Sequence, residues 1–426
     1  MLSEVIDNYT TILNEELVPA FGCTEPIAIA FCAAKAREIL GTVPDHVKIE
    51  VSGNIVKNVK SVIVPNTGGQ KGIETAASAG IIAGYPERQL EVIAQVTDEQ
   101  RKEIAKYRND TDFKVLPLDE GEKLDIRITE TKGNNTACVR VSERHVNIVY
   151  ISKNNQVILD QCHDKCEAVP TKKADRSHMD MESIVDYAMH ADLKDVNAVL
   201  KRQIEYNTKI AEEGIHGNWG ANVGSVILAS EPDCVKTKAK AMAAAGSDAR
   251  MSGCELPVVI NSGSGNQGIA VSVPVIVYAS ELHSSQDQLY RALVLSNLTA
   301  VHLKTGIGEL SAFCGAVSAG CAAGCGIAYL QGGDLNAIAH TLVNSLAIVS
   351  GIICDGAKPS CAAKIAASVE AGIFGYQMYI NGQQFFGEDG IVSKGVENTI
   401  QNIGRLAARG MVKTDEEIIR IMTHCD

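Results

Sequence analysis

The chain has 426 residues, with 39 Lys+Arg against 51 Asp+Glu and a formal net charge of -12. That balance, with no basic run and no stripe of alternating basic and aromatic residues, excludes a protein that tracks a phosphate backbone, so nucleic acid is not an expected partner. The length suffices for two domains held together by burial alone.

The opening stretch MLSEVIDNYTTILNEEL carries acids where a signal or transit peptide avoids them, which predicts a cytoplasmic protein. Within it Val5, Ile6, Ile12 and Leu13 fall at turn spacing and predict a helix. A second helix is predicted from Pro26 through PIAIAFCAAKAREIL, with VPAFGCTEP as the loop between them. From about 45 to 165 the texture changes to short strand-like runs such as HVKIEVSG, KLDIRITE, ACVRVS and VNIVYIS, separated by Gly, Asn and Asp. A polar linker, DQCHDKCEAVPTKKADRSH, follows, and helical patterns then run from about Ser183 to the end with Gly-rich breaks at 214–220, 261–268 and 351–360. The expected fold class is α+β, a mainly helical C-terminal domain joined by N-terminal helices, with a strand-rich α+β domain inserted. The boundaries read from these shifts are 1–44 for N-terminal helices packing on the helical domain, 45–170 for the α+β domain and 171–426 for the helical domain. Two C-terminal stretches without Asp, Glu, Lys or Arg are rich in Gly, Ala, Ser and Asn, which predicts central helices apolar all round and no membrane span.

The segment VVINSGSGNQGIAVSVP spaces Gly263, Gly265 and Gly268 as G-x-G-x-x-G. A dinucleotide site is not expected there, because Pro274 falls where the helix interior belongs, no acid follows at the ribose-binding offset and no βαβ texture surrounds it. The backbone N–H groups of such a loop, with Ser262, Ser264, Asn266 and Gln267 as further donors, suit an anion of carboxylate size; otherwise the loop is a turn that lets two helices pack closely. The segment NTGGQKGIETAASAGIIAG from Asn66 repeats its order of Asn, small hydroxyl, glycines, Gln and Gly-Ile, a faint internal echo.

Thirteen cysteines in a chain read as cytoplasmic are expected to be thiols, metal ligands or nucleophiles. Their spacing matches neither a zinc pattern nor the compact ferredoxin run, yet ligands far apart in sequence can converge when they sit at helix termini and Gly-broken turns. Cys32, Cys138, Cys234, Cys254, Cys321 and Cys325 are read as small buried hydrophobes. Cys162 and Cys166 in CHDKC are read as a surface pair.

The set GCTEPIA, VSGNIVKNV, VPNTGG, SDARMSG, NSGSGNQGI and GIICDGAK, spread over nearly the whole chain, resembles the L-cysteine desulfidase family. These are relatives of the iron–sulfur L-serine dehydratase alpha chain and of UPF0597-type proteins. The resemblance implies an enzyme without pyridoxal phosphate that uses an oxygen-sensitive 4Fe-4S cluster to convert L-cysteine to sulfide, ammonia and pyruvate. It implies metal ligands at Cys23, Cys314 and Cys354, with Cys361 as a fourth candidate, and raises the penultimate Cys425 as a terminal plug. Elimination without a pyridoxal sink needs a Lewis acid for the leaving thiolate and a base for the α-proton. Lys358 and Lys71 are the leading candidates for the base; His145, His216 and His302 are the others. The substrate carboxylate is assigned to Ser262, Gly263, Ser264, Asn266 and Gln267, with Asn66, Thr67 and Arg250 as further contacts. L-serine dehydratase, or a non-catalytic amino-acid or redox sensor with the same pocket, are the alternatives. The expected partner is a small amino-acid substrate, and a homo-oligomer is left open.

Overall fold

The computed structural model describes residues 3–118, 121–161, 174–308 and 310–423. Ser3–Glu16 is the first helix and Thr24–Leu40 the second. Eight strands lie among the described residues: β1 (Pro19–Phe21), β2 (His46–Val51), β3 (Asp112–Pro117), β4 (Asp125–Lys132), β5 (Asn135–Ser142), β6 (Ile148–Lys153), β7 (Gln156–Asp160) and β8 (Pro257–Val259). Six of them form one sheet in the order β3-β2-β4-β5-β6-β7. Only the β2–β3 pair in it is parallel. Alternation along β2 explains its placement: Val47, Ile49 and Val51 are buried while His46 and Lys48 are exposed, the period-two pattern of a sheet with one covered face. The strand-rich segment is therefore an α+β unit, as its texture predicts.

The cover on that face is the helix Thr24–Leu40, which lies across β4 and β5 and beside the helix Ile73–Ala83. The sequence reading seated both N-terminal helices on the helical domain. The first does pack there, against Gln286–Ile307, but the second lies on the sheet. Its unbroken burial from Pro26 through Ala34 is the reason, since a helix buried all round needs a partner on both flanks.

The helical body is built from Asn197–His216, Val235–Met251, Gly265–Glu281, Gln286–Ile307, Gly315–Leu330, Leu335–Val349 and Ser360–Ile380, packed on one another. Gly315–Leu330 is buried without a break from Ala316 to Ala328, as expected of a central helix in a helical body. No helix among the described residues is long and apolar enough to cross a membrane.

A second expectation is overturned. The helix Gly265–Glu281 runs straight through Pro274, so the G-x-G-x-x-G loop does sit between a strand, β8, and a helix. Pro274 removes one intrahelical bond at a cost of about 3 kcal/mol, but its helix is buried from Gly265 to Val275 and packing outweighs that loss. The dinucleotide reading still fails on another of the grounds given for it: β8 pairs antiparallel with β1 in a two-stranded ribbon, and among the described residues no parallel βαβ unit surrounds it.

Candidate functional site

Three of the four cysteines singled out as ligands sit where a helix begins. Cys23 caps Thr24–Leu40, Cys314 caps Gly315–Leu330, and Cys361 lies in the first turn of Ser360–Ile380. A helix start favours thiolate through its dipole, but burial outweighs that at Cys23 and Cys361, and a hydrogen bond to Cys354 together with burial outweighs it at Cys314. The fourth, Cys354, is placed by a short antiparallel bridge between Phe313 and Ile353, with Cys314 N–H donating to Ile352 O at 3.2 Å and Cys354 N–H to Ala312 O at 2.6 Å. Cys314, Cys354 and Cys361 line one cavity of about 390 Å³. Cys23 is buried beside Met251, its Sγ 3.8 Å from the thioether, in an apolar patch that Cys361 packs against.

The electrostatics split the four. Cys314 donates to Cys354 and keeps its proton: that hydrogen bond and burial push its thiol up, while the same bond with the charges of Lys57 and Lys304 brings Cys354 down to about 6. Burial pushes the Cys23 thiol up to about 12 and raises Cys361 as well. Among the described residues no group of three or more His, Cys, Asp or Glu closes around a point that could hold a single metal ion. A four-iron cluster is a larger object held at wider spacing by thiolates alone. Cysteines on separate loops around one cavity, with two ammonium groups to offset thiolate charge, fit it in donor chemistry.

Those two ammonium groups are candidate site residues that sequence reasoning missed. Lys57, on the short helix Gly53–Val59, is buried, donates to Asp415 Oδ1 at 2.6 Å and points at the Cys354 carbonyl oxygen at 3.5 Å. Lys304, in the last turn of Gln286–Ile307, lines the same cavity. The signal for Lys57 was present in NIVKNV, a lysine among the apolar positions of one turn, where a surface lysine is not expected.

The cradle is formed by the β8 turn. Ser262 and Gly263 have φ of +48 and +76, and the helix Gly265–Glu281 starts directly behind them. Ser262, Gly263, Ser264, Asn266, Gln267 and Arg250 all line the cavity. Arg250 is held by Nε donating to Gly22 O and Nη1 donating to Asn266 Oδ1, both at 3.1 Å, so it ties the Cys23 loop to the glycine loop. A Cβ at Gly265 would collide with Arg250 Nε, and one at Gly268 with the carbonyl oxygen of Val259, which is why these positions are glycine.

From the sheet side the β5–β6 loop brings in His145. Its Nε2 is buried with no hydrogen-bond partner among the described residues, and burial holds the ring below the usual imidazole range, hence neutral. It is the one candidate base that lines the cavity. Lys358 instead pairs with Asp355 at 3.5 Å and reaches Met422 Sδ. Lys71 is exposed, His216 bonds the Glu212 carbonyl at 2.8 Å, and His302 bonds Glu397 at 2.8 Å. Asn66 and Thr67 are also absent from the lining: Asn66 donates to Ile93 O and accepts from Arg101, and Thr67 donates to Val64 O, so both side chains hold their own loop.

Of the cysteines read as core, Cys32, Cys254, Cys321 and Cys325 are buried and Cys138 half-buried, but Cys234 is exposed. It precedes the helix Val235–Met251 at a surface turn, with Sγ 3.4 Å from Thr237 Oγ1. Cys162, Cys166 and Cys425 lie outside the described residues.

The site is thus a helical body with cysteines at two helix starts, facing a cavity closed by the strand-rich unit. The profile of the Serine dehydratase alpha chain family matches residues 87–420, and the chain belongs to that family. Over nearly its full length it is also similar to UPF0597 proteins. That of Desulfitobacterium hafniense (strain Y51) is 58% identical over 414 residues, covering 97% of this chain and 96% of the relative. Those of Finegoldia magna and Phocaeicola vulgatus are 48% and 37% identical, each covering 97% of this chain and 99% and 97% of the relative.

Proposed function

We propose that the protein is a carbon–sulfur lyase that eliminates sulfide from L-cysteine without pyridoxal phosphate, using an iron–sulfur cluster carried by Cys314, Cys354 and Cys361 or Cys23. The observation that carries this reading is one cavity lined by cysteines, the anion cradle of the β8 turn with Arg250, and a neutral histidine with a free buried nitrogen. When bound, the cluster supplies a thiophilic Lewis acid for the leaving group.

The chain's own residues do the rest. Arg250 has N–H groups left over after Gly22 and Asn266, and with the backbone N–H groups at the start of Gly265–Glu281 it binds the substrate carboxylate. His145 Nε2 takes the α-proton, and burial keeps it unprotonated beforehand. The Cα–H electron pair forms the Cα=Cβ bond, the Cβ–S pair departs with sulfur, and the released aminoacrylate hydrolyses to pyruvate and ammonium. Lys57 and Lys304 offset the negative charge gathered at the cysteines. The family description favours L-serine as an alternative substrate, its hydroxyl leaving in place of the thiol.

The test is sulfide and pyruvate release by anaerobically prepared protein, without added pyridoxal phosphate, from L-cysteine and L-serine in parallel. Release from cysteine that is lost in air supports the lyase, release mainly from serine makes it a dehydratase, and neither sinks both in favour of a sensor. His145→Gln should stop α-proton exchange in deuterium oxide while Lys358→Met leaves it intact; the reverse pattern moves the base to Lys358.

A further inference from the structure

Beneath the cradle lies a chain of buried carboxamides whose direction is fixed. Gln203, Asn261 and Asn297 are all fully buried. Asn297, midway along Gln286–Ile307, donates through Nδ2 to the backbone oxygen of Leu293 and to Gln203 Oε1, both at 2.8 Å. A backbone carbonyl can only accept, so this end of the amide must be the NH2 and the other must be Oδ1. That oxygen accepts from Gln203 Nε2 at 3.0 Å and from Asn261 Nδ2 at 2.9 Å. Asn261 Nδ2 also donates to the Asn297 backbone oxygen at 3.3 Å, a second anchor of the same sign. Asn261 Oδ1 therefore faces Ser262, whose Oγ lies 2.8 Å away.

An amide oxygen cannot donate, so the single hydroxyl proton of Ser262 is committed inward. What Ser262 offers the cavity is lone pairs only. A carboxylate, which is acceptor-only, gains nothing there, whereas an ammonium does. We propose that Ser262 Oγ is the acceptor for the α-ammonium of the amino-acid substrate, with Asn261, Asn297 and Gln203 as positioning residues that set its polarity. This refines the assignment of Ser262 to the carboxylate and rests on the reading of the pocket as an amino-acid site. It leaves the carboxylate to Arg250 and the helix start, so the two charged ends of the substrate are read by different elements.

The test uses two thiols that cannot be turned over, with anaerobic holoprotein and titration calorimetry. Cysteamine has the ammonium and no carboxylate; 3-mercaptopropionate has the carboxylate and no ammonium. Ser262→Gly removes the hydroxyl and suits the positive φ at this position, so the loop keeps its shape. It should weaken cysteamine about 10-fold or more, the range of a hydrogen bond to a charged group, and leave 3-mercaptopropionate within about twofold. Asn297→Leu should produce the same one-sided loss, because the serine proton is then no longer directed; a loss that falls equally on both thiols reduces the network to a structural role. If 3-mercaptopropionate alone weakens in Ser262→Gly, the polarity assignment falls while the amino-acid pocket stands. If neither thiol binds the unaltered protein, the amino-acid reading itself fails and this assignment with it.

Discussion

Replacing Lys57 by methionine tests how the cavity is held charged. Lys57 and Asp415 are joined at 2.6 Å with side-chain exposures of 1% and 11%, so Asp415 has almost no water to fall back on once its partner is gone. Removing one member of a buried pair costs about 3–5 kcal/mol, whereas replacing both by apolar groups of similar volume is often neutral. The urea midpoint of the apoprotein should therefore drop clearly in Lys57→Met and recover in Lys57→Met/Asp415→Leu. Recovery of the fold should not restore the thiolate. The ammonium helps hold Cys354 down at about 6, so alkylation of Cys354 near neutral pH should slow in both variants. A single variant as stable as the unaltered protein, or a double variant no better than the single, would refute the argument, since it would mean that Asp415 is solvated after all.

Cys354→Ser and Cys314→Ser should abolish iron uptake after anaerobic reconstitution while Cys321→Ser and Cys234→Ser keep it; full iron content in the first pair would strike those residues from the ligand set. Glu130 is fully buried with both carboxyl oxygens unpartnered among the described residues, and burial holds it well above the usual carboxylate range despite the nearby Arg37. Its penalty is absent below the carboxylate's ordinary value of about 4.3 and grows as pH rises toward the folded value. Glu130→Gln should thus stabilise the protein increasingly from pH 5 to 8, and a stability difference that is flat with pH would contradict this. Gly265→Ala should displace Arg250 and raise KM for the amino acid more than it lowers kcat, with about 1–3 kcal/mol lost in stability; an unchanged KM would show that Arg250 does not meet the substrate.

The periodicities carried the architecture. Alternation in HVKIEV and KLDIRITE and the uncharged, small-residue texture of 315–328 are local signals, and local signals survive in a single sequence. Pro274 misled because a local helix breaker was weighed without the packing that overrides it, and Cys234 because a cysteine's burial depends on its neighbours in space. The clustering of Cys314, Cys354 and Cys361 was legible through the resemblance. The exclusion of Asn66, Thr67 and Lys71 from the cavity was not, because the NTGG loop echoes the NSGSG loop in composition but turns its polar groups toward Ile93, Val64 and Arg101. For Lys57 the setting in NIVKNV signals burial, but it does not reveal that the ammonium faces Asp415, 358 residues away; for Lys304 the local sequence carries no such signal.

That last contact bears on how the molecule comes into being. The cavity draws on Glu15 near the start of the chain and on Cys361 toward its end, and the lysine beside Cys354 is paired with a carboxylate at position 415. A nascent chain emerging from the ribosome can complete the six-stranded sheet long before that carboxylate exists, since domains fold as units from the N-terminal side during synthesis. The cavity cannot reach its final charge state until almost the whole chain has emerged.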